Sequence, residues 1–261
     1  MNEAELRRLA ESIRGTVAGL RRAGLREILR AEPRPAAPPA DQAGKPGRSP
    51  AALPAETEHP SAERFSTETG TSPVEQEEKA ERLLAVRNEL GDCRRCRLHE
   101  TRTHLVFGEG DPAARLVFVG EGPGADEDRQ GRPFVGRAGR LLDKMIQSIG
   151  LERGQVYICN VVKCRPPGNR TPAPEEIEPC SPFLTKQLEV IQPKVICTLG
   201  ACATQTLLQT RKFISELRSG VRLWRGIPVV PTYHPAYLLR NPAKKADVWK
   251  DLLRVLQILE G

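Results

Sequence analysis

The sequence predicts an α/β fold, a three-layer α/β/α sandwich around a four-stranded, mostly parallel sheet, preceded by an N-terminal helix and a disordered linker. Three observations point there. Short apolar runs recur at Leu116 to Val119, Val156 to Val162, Val195 to Leu199 and Ile227 to Thr232. Helical patterns separate them, near Gly139 to Ile149, Pro174 to Ile191 and Ala201 to Leu208, with a last one from Ala246 to Leu259. This βαβαβαβα alternation is that of parallel strands with helices on both faces. Finally, the chemically unusual residues fall just after the strands, where such sheets bind their ligands.

Taken in chain order, the first thirty residues (1–30) place Leu6, Leu9, Ile13, Val17 and Leu20 at helical spacing with arginines on the other face. They are expected to form an amphipathic helix that docks on a partner, such as another protein. Residues 31–76 hold nine prolines and one aromatic residue, Phe65. Such a segment cannot bury enough apolar surface to offset its ordering entropy, so a flexible tether is expected. Residues 77–261 form the expected compact catalytic domain.

The formal charge of +7 lies in that domain, which has 29 basic and 22 acidic residues, whereas residues 1 to 76 balance at 11 each. A basic folded part favours a polyanionic partner such as nucleic acid. No apolar run reaches the roughly 18 residues that span a bilayer, and the charged start is not built as a signal peptide. No membrane association and a cytoplasmic location are expected.

Seven cysteines without an export signal suit metal binding or buried thiols better than disulfides. Cys93 and Cys96 form a CxxC, Cys164 lies in "VKCRPPGNR" and Cys180 in "EPCSPF". All four sit in loops or at element ends that can bend toward a common centre. Their spacing leaves zinc, the commoner occupant, and an iron-sulfur cluster both open. Cys159, Cys197 and Cys202 occupy apolar contexts and read as small buried hydrophobes.

The stretch "GEGPGADEDRQGRPFVG", Gly120 to Gly136, has the glycines of a phosphate loop, but Pro123 and the acids Asp126, Glu127 and Asp128 stand where a pyrophosphate would meet a helix N-terminus. A dinucleotide site is therefore disfavoured.

Together with "YICNVVKCRPPGNRTP", "EPC" and "PTYHPAYLLRNP", this stretch resembles the family 4 uracil-DNA glycosylases, the iron-sulfur branch of their superfamily, from roughly Glu81 to the C-terminus. The resemblance implies a monomeric enzyme of base excision repair acting on uracil-containing DNA. It favours a [4Fe-4S] cluster on Cys93, Cys96, Cys164 and Cys180 over zinc, with a role in ordering loops rather than in redox chemistry.

A glycosylase takes its base out of the stack, so it needs a flat wall, a polar reader and a stabiliser for the departing base. Phe134 is expected to stack on the pyrimidine. Asn160 can accept from uracil N3–H and donate to O4, provided a further hydrogen bond fixes its amide. His234 is expected to donate to O2. Gly120 and Gly122 allow close backbone approach, and Glu127 is the wall that the family raises against the thymine methyl. Other branches carry Asp or Asn at the position of Gly122, so the attacking water is assigned to Glu121; Asp126 and Asp128 are expected to be solvated. Arg165, Arg170 and Arg240 are expected near phosphates, with Leu238 and Leu239 as a wedge entering the stack. Two other classes fit parts of the sequence: a non-hydrolytic or covalent uracil-DNA binder, whose basic, histidine-containing insertion is missing after Phe134, and a zinc-stabilised nucleic-acid-binding module.

Overall fold

The computed structural model describes residues 72–261. The amphipathic helix expected over 1–30 and nearly all of the tether expected over 31–76 lie outside the described residues. The tether's last residues do not: Ser72 accepts from the Glu75 N–H and caps helix α1, Pro73–Leu90, which starts inside the stretch assigned to the tether. Proline at the first helical position is preorganised for this start.

The sheet has six strands among the described residues, not four, in the order β1-β3-β2-β4-β6-β5. They are β1 (Glu109–Gly110), β2 (Leu116–Gly120), β3 (Tyr157–Asn160), β4 (Val195–Leu199), β5 (Arg222–Trp224) and β6 (Ile227–Thr232). The four apolar runs form the parallel interior, β3-β2-β4-β6. Two short antiparallel strands, β1 and β5, close the edges. Their brevity and half-exposed residues leave no apolar run to detect.

Every residue of β2, β3 and β4 is buried, as a parallel sheet covered on both faces requires. Alternate residues serve opposite layers. Val117 and Val119 pack with Leu83, Val86 and Leu90 of α1 and with Leu184, Leu188 and Ile191 of helix α5 (Ser181–Ile191). Leu116 and Phe118 pack with Leu142 and Ile146 of helix α3 (Arg137–Ser148) and with Val248, Leu252 and Val255 of helix α9 (Lys245–Glu260). The remaining helices are α2 (Ala125–Gln130), α4 (Pro174–Ile177), α6 (Ala201–Leu208), α7 (Ile214–Leu217) and α8 (Pro235–Arg240). The single helix expected from Pro174 to Ile191 is thus two, α4 and α5, broken around Pro179 and Cys180. Proline lacks an N–H to donate and restricts the residue before it.

None of the described helices is long and apolar enough to cross a membrane.

Candidate active site and cysteine centre

The parallel register brings the strand ends level. Gly120 pairs with Asn160, and Leu199 with Thr232, so β2, β3, β4 and β6 finish along one rim. A buried network fixes its far end. Asp251 accepts from the Thr232 hydroxyl at 2.7 Å, Arg218 at 2.7 Å and Arg254 at 2.9 Å, and the Arg218 guanidinium lies 4.1 Å from the Tyr233 ring centroid. His234 follows directly.

Four residues singled out in the sequence meet at this rim. A Cβ on Gly120 would lie 2.4 Å from Asn160 Oδ1 and 2.5 Å from Phe134 Cζ. The Phe134 and His234 rings stand 5.6 Å apart between centroids, tilted by 34°. At Gly200, φ +92°, a side chain would be strained, and its Cβ would lie 3.1 Å from the His234 Cβ. Asn160 is 1% exposed, and its Oδ1 is a buried acceptor without a partner. Buried polar atoms are rarely left so, and an orphan acceptor at a strand end invites an N–H from outside the chain. The side-chain bond expected to fix the amide is not among the described hydrogen bonds of Asn160. Its backbone is held instead, through the Lys163 Nζ donating to its carbonyl at 2.8 Å.

His234 caps α8: its Nδ1 accepts from the Ala236 N–H at 3.1 Å. In a neutral imidazole the proton is then on Nε2, which is left as a donor. Burial, helped by the positive charge of Arg240, lowers its pKa to about 4, so the ring is neutral near pH 7.

The acids of the glycine-rich stretch open helix α2, where the positive end of the dipole favours them. Glu127 Oε1 accepts from the Val135 and Gly136 N–H groups, both at 2.9 Å, and so ties α2 to the turn after Phe134. Asp126 pairs with Arg129 at the surface. Asp128 is not solvated as expected: it is 3% exposed, and its carboxylate accepts from the Thr103 N–H at 2.9 Å. Glu121 is half-buried; burial raises its carboxyl pKa, and the Thr171 hydroxyl opposes that rise. Glu127→Ala leaves two amides without their acceptor and is expected to lower the unfolding free energy by about 1–3 kcal/mol. Urea denaturation measures this, with Glu127→Gln, which keeps a carbonyl acceptor, recovering most of the loss.

The residues expected to grip DNA are placed unevenly. Arg165 donates to Asn169 at 2.7 Å, and Arg240 is exposed. Arg170 is engaged by the buried Glu176 through two bonds of 2.7 and 2.6 Å. The leucine wedge is corrected: Leu238 is 1% exposed and packs in the core, whereas Leu239 is 47% exposed. Neighbours on a helix point about 100° apart, so the pair cannot face one partner together.

Cys93, Cys96, Cys164 and Cys180 line one small hollow with Leu90, Leu105 and Lys163. Three sulfurs already receive donors: Cys93 from Arg95 at 3.3 Å, Cys164 from Arg102 at 3.2 Å and Cys180 from the Lys163 N–H at 3.3 Å. Burial pushes the thiols of Cys96 and Cys180 up and that of Cys164 to about 11. Among the described residues no three His, Cys, Asp or Glu side chains gather closely enough to hold a single metal ion. Cys159, Cys197 and Cys202 are buried elsewhere, as expected.

Sequence reasoning missed Lys163 and Arg153. Lys163, fully buried, was visible only as a charge within the apolar "VVKC".

Comparison with known proteins identifies relatives of this chain. The family model of the uracil DNA glycosylase superfamily matches residues 107–255. A type-4 uracil-DNA glycosylase of Thermotoga maritima is 50% identical over 165 residues, covering 62% of this chain and 86% of that protein. One from Archaeoglobus fulgidus is 44% identical over 183 residues, covering 67% and 92%. A type-5 uracil-DNA glycosylase of Thermus thermophilus is 33% identical over 174 residues, covering 59% and 79%. With its rim of Gly120, Phe134, Asn160 and His234 and its four grouped cysteines, the chain belongs to the uracil DNA glycosylase superfamily, and within it to the type-4 uracil-DNA glycosylases.

Proposed function

We infer that the chain excises uracil from DNA as a repair enzyme, hydrolysing the bond between base and deoxyribose at the strand ends. The observation that carries this is the orphan Asn160 Oδ1, buried beside an aromatic ring and a neutral imidazole. Uracil offers N3–H to that oxygen and its O4 to the amide NH₂. Cytosine presents the reverse pattern, and a mismatch in a site built for hydrogen bonding costs about 10⁴-fold or more.

Phe134 stacks on the extruded ring, and the backbone at Gly120 and Gly122 approaches it. The bond from sugar C1′ to N1 breaks with its electron pair passing to the base, where His234 Nε2–H stabilises the charge at O2. The sugar cation is met by a water. Its oxygen bonds to C1′, and Glu121 orients it and takes its proton, a task suited to a carboxyl of raised pKa. Glu127 braces the turn that bears Phe134 and stands against the thymine methyl. Arg165, Arg240 and Leu239 face DNA, with Arg170 joining when Glu176 yields it.

Cys93, Cys96, Cys164 and Cys180 would hold a [4Fe-4S] cluster. The fit rests on four thiols around one hollow with N–H donors to three of them. Hydrogen bonds to sulfur are the usual second layer of such centres. The cluster supplies structural cross-linking of the loops that carry Arg102, Arg165 and Arg170. The reading includes a monomer in the cytoplasm.

Incubation with a uracil-containing oligonucleotide is expected to give free uracil and an abasic strand with multiple turnover. A protein-DNA adduct, or binding without product, would sink the hydrolytic reading. Brown protein with about four irons per chain is expected on anaerobic purification; colourless, active protein holding one zinc would overturn the cluster assignment.

A further inference from the structure

Phe134 has φ +50°, in the left-handed region that bulky residues avoid. A conformation of that kind persists only where its surroundings impose it. Two groups impose it from opposite sides. Glu127 takes the amides that follow, those of Val135 and Gly136. Arg153, nineteen residues downstream of Phe134, takes the carbonyls: Nη2 donates to Pro133 O at 2.5 Å and Nη1 to Phe134 O at 3.2 Å.

Arg153 is itself held. Nε and Nη2 donate to Glu109 Oε1 at 2.9 and 2.7 Å, and Nη1 donates to Asp143 Oδ1 at 2.7 Å. Glu109 lies on β1 and Asp143 on α3, so the guanidinium fork is aimed by a sheet edge and a helix. Gly139 completes the arrangement, because a Cβ there would fall 1.9 Å from Phe134 O. Helix α3 can pass beneath the strained peptide only without that side chain.

We propose that Arg153 is a positioning residue for base recognition: oriented by Glu109 and Asp143, it pins the Pro133 and Phe134 carbonyls and thereby sets the plane of the stacking ring. It touches neither base nor sugar and acts through Phe134. The proposal rests on the reading that Phe134 stacks on the base. A bidentate planar fork suits the task, since it fixes two carbonyls with a defined angle between them, which a lysine ammonium cannot do.

The test separates ring placement from general stability. Arg153→Met is expected to lower single-turnover uracil excision about 10²-fold, the size of an ångström-scale misplacement, with affinity for abasic-site DNA, which has no base to stack, changed by less than about threefold. Arg153→Lys should restore only part of the rate. In a Phe134→Ala background, Arg153→Met should add almost nothing, because the group it positions is gone. Equal losses of excision and abasic-site binding, or effects that multiply in the double variant, would overturn the proposal. So would an Arg153→Met enzyme of ordinary rate. If that variant does not fold, Asp143→Asn, which only loosens the fork, is measured against the same criteria. Full activity of Phe134→Ala alone would instead remove the stacking reading itself, and it is distinguishable because residue 153 is untouched.

Discussion

A single methyl group placed on residue 120 is expected to stop uracil excision while the protein stays folded. The Cβ of Gly120→Ala would lie 2.4 Å from Asn160 Oδ1 and 2.5 Å from Phe134 Cζ, closer than heavy atoms approach. Both neighbours have little room to retreat: Asn160 and Phe134 are buried, and the backbone of each is tied down. The two groups forced apart are the ones proposed to read and stack the base. Displacement by about 1 Å at such a site costs about 10²-fold, and the loss here is expected to reach or exceed that. Overpacking should lower stability by only about 1–3 kcal/mol. Single-turnover excision and a thermal melt check both halves. Gly220→Ala, whose new Cβ would meet only an ordinary contact with Arg222 at 3.8 Å, is the control expected to keep full rate. An active Gly120→Ala enzyme would mean that the base binds elsewhere.

Removing the imidazole of His234 is expected to lower single-turnover excision about 10²- to 10³-fold, the usual loss for one donor aimed at charge that develops in the transition state. The ring is suited to this because its Nδ1 already accepts from Ala236 and its proton lies on Nε2. A neutral donor meets the departing anion without ion-pairing to the ground-state base. The same burial predicts a pH signature. With a pKa of about 4 in the fold and an ordinary value of 6.5, the ring takes up its proton in the unfolded chain first as pH falls. Its contribution to stability is therefore complete above pH 6.5 and is lost between 6.5 and about 4. His234→Gln should flatten that part of the stability profile, as urea midpoints across the range would show. Excision should show no titration of this ring between pH 5 and 8. Near-full activity of folded His234→Ala would take the imidazole out of the chemistry.

How much of this was legible in the sequence follows from what each residue touches. The central strands were legible because burial on both faces demands continuous apolar runs such as "LVFV" and "VICTL". Strands β1 and β5 were not, being two and three residues long at the edges. Helix α1 was overlooked because it buries only Leu83, Val86 and Leu90 of its eighteen residues and starts within a proline-rich stretch. Gly120, Asn160 and His234 could be found because strand ends are where such a sheet presents ligand groups. Arg153 could not, since two of its partners are main-chain carbonyls, which have no residue type to read. The pair Leu238 and Leu239 misled for a related reason: adjacent identical letters conceal that a helix sends one inward and one out.

Lys163 has a bearing on engineering. Its side-chain amine is walled off from water, bonded to the Asn160 carbonyl and to Gln187 at 2.6 Å, while its backbone N–H reaches Cys180. A designer transplanting the strand that ends at Asn160 into a cysteine-free scaffold would carry along a buried amine whose Gln187 partner, and the Cys180 sulfur met by its backbone N–H, had been left behind. Asn160 and the thiol nest are therefore one inheritable module, and any minimised version of this enzyme has to move both or redesign position 163 first.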